Sequence, residues 1–232
     1  MQPTYFPWAG YLSLIGQVDT FVFLDDAQYE RGSWQNRNRV LVNGKPHWLT
    51  VPAQRNFLGQ TINQIQIDAP RNWRQKHFRL LAQAYAKHPH TDEMLAIAGT
   101  ILDAGLSTLG DLNVRIIAEL ARALGLTTRL VRSSQFGIYG HRTERLIDIC
   151  THLACNEYIS PIGSTDYLME DGFSTKTSVS LSFNDFVPDP YPQTGSGTFT
   201  SHLSILDVIA NIGLQRAAAY LRPNAMKRNE SD

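Results

Sequence analysis

Two adjacent carboxylates, Asp25 and Asp26, follow an unbroken apolar run, Phe21-Val-Phe-Leu24, in a chain of 232 residues. At the carboxyl end of a buried strand, where open α/β sheets bind ligands, such a pair could bind a metal, orient an amine or act as a general base. Neighbours on an extended segment point apart, so one of the two is expected to cap its own loop. Further on lies Trp34-Gln-Asn-Arg-Asn-Arg39. Arg37 and Arg39 suit a phosphate or carboxylate, which a planar guanidinium fork grips at two points. Asn36, Asn38 and Gln28 add amides that must find partners in backbone or ligand. The bland alternative is an edge strand guarded by polar side chains. Ahead of both lies Gln2-Pro-Thr-Tyr-Phe-Pro-Trp-Ala-Gly-Tyr11, in which Pro3 and Pro7 hold an extended loop and Gly10 admits close approach at a helix start. Gln2 belongs to this recognition loop, and Tyr5, Trp8 and Tyr11, with Trp34, would wall a site or plug the end of a sheet.

His77 is a further catalytic candidate, although it shares the apolar stripe of a helix, where a lone histidine is more often a satisfied core residue. Ser160 to Gly163 follow a strand and offer hydroxyl and backbone N–H groups to an anion; an ordinary turn reads equally well. Ser160 lacks the Gly-x-Ser-x-Gly frame of a hydrolase nucleophile. No histidine pair has zinc-ligand spacing with supporting cysteines or carboxylates, so no structural metal is expected. The cofactor is left unassigned.

The elements that must position these groups follow from periodicity. Ala9 to Gln17 suits a short amphipathic helix, and Phe21 to Leu24 a strand buried on both faces. Asn43-Gly44 between Arg39 to Val42 and Lys45 to Val51 predicts a two-residue hairpin. Its register puts Val42 opposite Lys45, Leu41 opposite Pro46 and Arg39 opposite Trp48. Val40, Val42, Leu49 and Val51 then share a face with Asn36 and Asn38, while Arg37, Arg39 and Trp48 share the other. Arg39 is expected to pack on Trp48 and to leave Arg37 free for an anion. Ile62 to Asp68 reads as a third strand ending at Pro70. Helices are expected from Trp73 to Tyr85, Thr91 to Leu102, Leu109 to Leu124 and Thr143 to Leu153. Strands are expected over Thr127 to Arg132, Glu157 to Ser160 and Ser178 to Phe183, with closing helices at Leu203 to Ile212 and Leu214 to Leu221. This alternation predicts a single α/β domain over residues 1–221, helical over about 71–124, with a polar tail at 222–232. A largely parallel sheet would bring the first loop, Asp25 to Trp34 and Ser160 to Gly163 to one cleft. A β-loop-α unit also needs a strand before Gln2, so an upstream strand is expected.

Lys plus Arg and Asp plus Glu both number 21, so the net charge is zero and no overall field draws in nucleic acid or an anionic membrane. Basic residues beside tryptophan also fit nucleic acid, but no second basic stripe accompanies them. No apolar run approaches a membrane span. Cys150 and Cys155 read as reduced thiols of a cytoplasmic protein.

The two opening blocks, together with Trp48-Leu-Thr-Val-Pro52, Trp73 with Lys76-His77, Tyr158-Ile-Ser160 through Tyr167-Leu168, Pro190-Tyr-Pro-Gln193 and Leu203-Ser-Ile-Leu-Asp207, resemble the WbqC-like proteins of bacterial surface-polysaccharide clusters. The resemblance implies acyl or aminoacyl transfer to an activated amino sugar, hence a small phosphate-bearing sugar or nucleotide as partner. It also implies a short hydrophobic strand ahead of Gln2. In placement alone, the first loop resembles the one after the first strand of nucleotidyltransferases. Trp8 and Tyr11 stand where those enzymes carry histidines, so histidine-dependent phosphate chemistry is not implied. A nucleotidyl-transferring or adenylate-forming enzyme is the alternative reading, and a binding or scaffold protein of a polysaccharide assembly complex is the second.

Overall fold

The structure, a computed structural model, describes residues 1–54, 58–68, 72–195 and 197–222. Residues 223–232 of the expected polar tail and Pro70 lie outside the described residues. The described residues form a mixed α/β architecture whose strands pair as three two-stranded sheets.

Strand β1 (Thr20–Phe23) lies parallel to β4 (Arg129–Arg132), with Phe21 level with Leu130. The hairpin joins β2 (Arg37–Val42) to β3 (Lys45–Thr50) in the expected register, Arg39 opposite Trp48 and Leu41 opposite Pro46. Asn43 and Gly44 take φ of 51° and 71°, the left-handed pair that matches a two-residue turn to the twist of its strands. A second parallel pair joins β5 (Glu157–Pro161) to β6 (Ser180–Asn184). The single largely parallel sheet is thus not formed among the described residues. β1 and β5 belong to separate pairs, and among the described residues only Met1 is hydrogen-bonded to the other edge of β1.

The expected third strand does not form among the described residues either. Ile62–Gln64 instead forms a 3₁₀ turn, because the Gln64 side chain accepts the Thr61 N–H at 3.1 Å and tightens the chain. What survives of the strand is two isolated bridges, Ala53 to Ile67 and Gln66 to Thr108.

The helices fall close to the periodic segments: α1 (Ala9–Ile15), α2 (Trp73–Ala84), α3 (Thr91–Leu102), α4 (Leu109–Ala123) and α5 (Arg142–His152). Short helices α6 (Thr165–Glu170) and α7 (Phe173–Lys176) follow β5, and α8 (Ile205–Tyr220) closes the fold with a kink at Gly213. α4 shows why they form. Leu109, Leu112, Ile116, Ile117 and Leu120 recur on one buried stripe, and the Thr108 hydroxyl caps the Asp111 N–H at its start.

Two hydrophobic clusters result. The larger unites α1, β1, the inner hairpin face, α2 to α4 and α8, while the smaller gathers Leu146, Cys150, Leu168, Phe173 and Val179 around α5 to α7. A groove of about 380 Å³ runs where the two clusters face each other, between β1 and β5.

Candidate functional site

The outer hairpin face carries four side chains that meet. Trp34 and Trp48 have ring centroids 5.3 Å apart and remain 45% and 40% exposed, so both indoles are partly open to solvent. The Arg37 guanidinium sits over Trp48 at 4.2 Å, and Arg39 lies 5.6 Å from Trp34 and 5.7 Å from Trp48. The sequence reading gave the close contact to Arg39. The structure reverses that order, because a long side chain reaches its diagonal neighbour across an antiparallel pair as readily as the residue directly opposite. Neither guanidinium has a carboxylate partner among the described residues, and Nε of each has no hydrogen bond. The result is a cationic, aromatic platform with unspent donors. At the base of the same hairpin, Tyr29, Arg31, Asn36, Thr50 and Asp68 line a cleft of about 350 Å³.

The first loop supports this hairpin from beneath. The Tyr5 N–H bonds the Trp34 carbonyl at 3.0 Å, and the Gln35 side chain donates to Gln2 Oε1 at 2.9 Å. Asn38 Nδ2 donates to the Phe6 carbonyl at 2.8 Å, and Phe6 adopts φ of 40°, a conformation disfavoured for a bulky side chain. Asn36 binds its own surroundings, accepting from the Gly32 N–H at 3.1 Å and donating to the Val51 carbonyl at 3.2 Å. Asn113, which the sequence reading missed, donates to the Pro3 and Gln35 carbonyls at 3.1 and 2.7 Å and ties both blocks to α4. Its signal was available: an amide at a position within the apolar stripe of a helix must find partners.

Several candidates are therefore structural posts. Tyr5 and Tyr11 are buried in the main core rather than open as walls. The Tyr5 hydroxyl donates to His77 Nδ1 at 2.8 Å, and the remaining ring nitrogen meets the Thr50 carbonyl. Burial pushes His77 down to about 4, so it is neutral at physiological pH. The Tyr11 hydroxyl donates to the Gln2 carbonyl at 3.1 Å. The Trp8 indole fills the space where a Gly10 Cβ would stand, 2.2 Å from its ring, and packs on His202 and Phe186. Gln28 is exposed and forms a bridge with Thr61.

Asp25 and Asp26 lie together at the ends of β1 and β4, as the parallel pairing requires. Asp25 is fully buried and accepts the Ser134 N–H and hydroxyl at 3.1 and 2.8 Å. Asp26 accepts the Ser133 hydroxyl and pairs with Arg145 at 2.5 Å. Burial works to raise the Asp26 carboxyl, but the hydrogen bonds from Arg145 and Ser133 outweigh it and hold the group below the usual carboxylate range. Both carboxylates thus clamp two strand ends, and the hydrogen bonds from Arg145 and Ser133 leave Asp26 little basicity to offer. Ser160 is buried, its hydroxyl 3.4 Å from Tyr158, and Gly163 is exposed. Among the described residues neither bonds to the first loop. Residues just before them, Tyr158 and Ile159, line the groove opposite Met1 and Leu24.

The match of the chain to the WbqC-like protein family extends over residues 2–219, which include every group described above. The chain belongs to the WbqC-like family. It is 34% identical over 226 residues to the uncharacterized protein Rv1507c of Mycobacterium tuberculosis, an alignment that covers 96% of each chain. No solved structure matches. Among the described residues no helix is long and apolar enough to cross a membrane, and no cluster of three or more histidine, cysteine or acidic side chains could hold a metal ion.

Proposed function

We propose that this WbqC-like protein recognises a phosphate-bearing sugar or nucleotide on the hairpin platform and serves acyl or aminoacyl transfer to an activated amino sugar in surface-polysaccharide assembly. One observation carries the recognition half: two half-exposed indoles stand beside two guanidiniums that no carboxylate among the described residues neutralises. A planar base or the apolar face of a sugar ring stacks on indole, and a phosphate takes the arginine donors. The transfer half rests on the family resemblance. A second reading, a binding protein without chemistry of its own, is favoured by the pairing of Asp25, Asp26 and His77 with neighbours inside the fold.

A thermal-shift panel separates the readings. Stabilisation by a nucleoside-diphosphate amino sugar supports the proposal. Stabilisation by ATP or CTP only with a divalent metal supports a nucleotidyl-transferring enzyme, and no response to any phosphate-bearing ligand overturns recognition on the platform.

A further inference from the structure

The turn that ends α5 brings the two cysteines of the chain together. Ala154, just past the helix, takes φ of 51°. Its N–H bonds the Thr151 carbonyl at 3.0 Å, and the next N–H, of Cys155, bonds the Cys150 carbonyl at 3.1 Å. These two bonds are the paired closure of a helix that ends in a left-handed residue, and that closure sets the side chain after the turn against the one a turn back in the helix. Any apolar pair can make that contact. Here both places are held by thiols, Cys150 and Cys155.

The geometry suits a bond between them. A backbone contact of 3.1 Å between Cys155 and Cys150 holds their α-carbons at a separation of the order a disulfide spans, roughly 4.4–6.8 Å. Both side chains also meet the same apolar cluster: Cys150 is buried in it with Leu146, Leu168, Phe173 and Val179, and Cys155 packs against it. Their exposure differs. Cys155 is half-buried, whereas Cys150 is buried, and burial, with the neighbouring Cys155 thiol adding to the effect, pushes the Cys150 thiol up to about 12. A thiol held that high stays protonated and does not begin an attack on a disulfide, which leaves Cys155 as the attacking sulfur.

We propose that Cys150 and Cys155 form a reversible dithiol–disulfide site whose oxidant is a low-molecular-weight disulfide. Cys155 gives its proton to solvent and attacks one sulfur of that disulfide, forming a mixed disulfide and releasing one external thiolate, which solvent protonates. Cys150 then attacks the Cys155 sulfur, and its proton leaves with the second external thiol. Two protein thiols are oxidised and one external disulfide is reduced to two thiols, so atoms and electrons balance. The new bond staples the end of α5 to the chain two residues before β5 begins at Glu157. α5 also carries Arg145, which pairs with Asp26 beyond the end of β1, so the staple holds the helix that clamps that strand end.

Oxidised glutathione, titrated into the native parent, Cys150→Ser and Cys155→Ser, tests it. Remaining thiols are trapped with N-ethylmaleimide in denaturant, and the tryptic peptide 146–176, which holds both cysteines, is read by mass spectrometry. The parent should lose both thiols and carry no glutathione. Cys150→Ser should keep one glutathione on Cys155, and Cys155→Ser should stay unmodified. The folded parent should favour its disulfide at least about tenfold more than the same chain in urea, because the turn presets the geometry. A parent that stays a dithiol, keeps a mixed disulfide or links two copies on a non-reducing gel would overturn the proposal, and none of these readings depends on a variant. Equal equilibrium constants in buffer and in urea would overturn it too, and glutathione on Cys150 in Cys155→Ser would overturn the choice of Cys155 as the attacking sulfur.

Discussion

Replacing His77 with glutamine should remove a large part of this protein's sensitivity to mild acid. His77 is buried, with Nδ1 on the Tyr5 hydroxyl and the other nitrogen toward the Thr50 carbonyl, and burial holds it at about 4 rather than 6.5. The unfolded chain binds its proton first, so stability falls as pH drops from about 6.5 toward about 4, where the folded state begins to take up the proton too. Linkage over that interval gives a loss of about 2 kcal/mol between pH 7 and pH 5, and about 3 kcal/mol by pH 4. Glutamine offers one acceptor to Tyr5 and one donor to Thr50 without a titrating group. Urea unfolding of parent and His77→Gln at pH 7, 6, 5 and 4.5 isolates the effect, since the buried Met1 amine titrates in both chains and cancels. Asp26 and Asp111, held low by their hydrogen bonds against the opposing effect of burial, keep their contribution above about pH 4 and lose it only further down. The parent should lose about 2 kcal/mol more than the variant between pH 7 and pH 5. Parallel curves would show that His77 is not held neutral by burial, and the structural role assigned to it would fail.

Asn113→Ala removes the donor shared by the Pro3 and Gln35 carbonyls and should cost about 2 kcal/mol, less than two full desolvation penalties because the Asn113 Oδ1 is itself buried without a partner. Urea unfolding checks it, and a change under about 0.5 kcal/mol would mean the two blocks do not depend on α4. Gly10→Ala places a Cβ within 2.2 Å of the Trp8 ring, so the indole must leave its position against His202. A cost of about 1–3 kcal/mol with altered tryptophan emission is expected, and an unchanged spectrum and Tm would contradict the packing.

The hairpin and most helices were legible because their signals are local. Asn43-Gly44 sets the turn and the turn sets every cross-strand pair, while the stripe from Leu109 to Leu120 has one helical solution. The 3₁₀ turn at Ile62–Gln64 was read as a strand because Ile65 and Ile67 alternate, yet both isoleucines are equally buried beside a turn closed by Thr61 and Gln64. The site was legible in composition but not in division of labour. Asn36 and Asn38 carry the right groups for a sugar, and only three-dimensional contacts reveal that Gly32, Val51 and Phe6 occupy them. Arg37 and Arg39 differ by one turn of the strand's alternation, and the diagonal reach that places Arg37 on Trp48 is decided by side-chain length and sheet twist.

The central claim, recognition on the Trp34–Trp48 platform, is tested most directly by titrating intrinsic tryptophan fluorescence with a nucleoside-diphosphate amino sugar in the parent and in Arg37→Lys. Stacking on half-exposed indoles predicts saturable quenching in the parent. A point charge in place of the guanidinium fork predicts binding weakened about tenfold or more, with Tm lowered by no more than about 2 °C for the exposed cation–π contact. No saturable quenching, or the same affinity in both proteins, would contradict it.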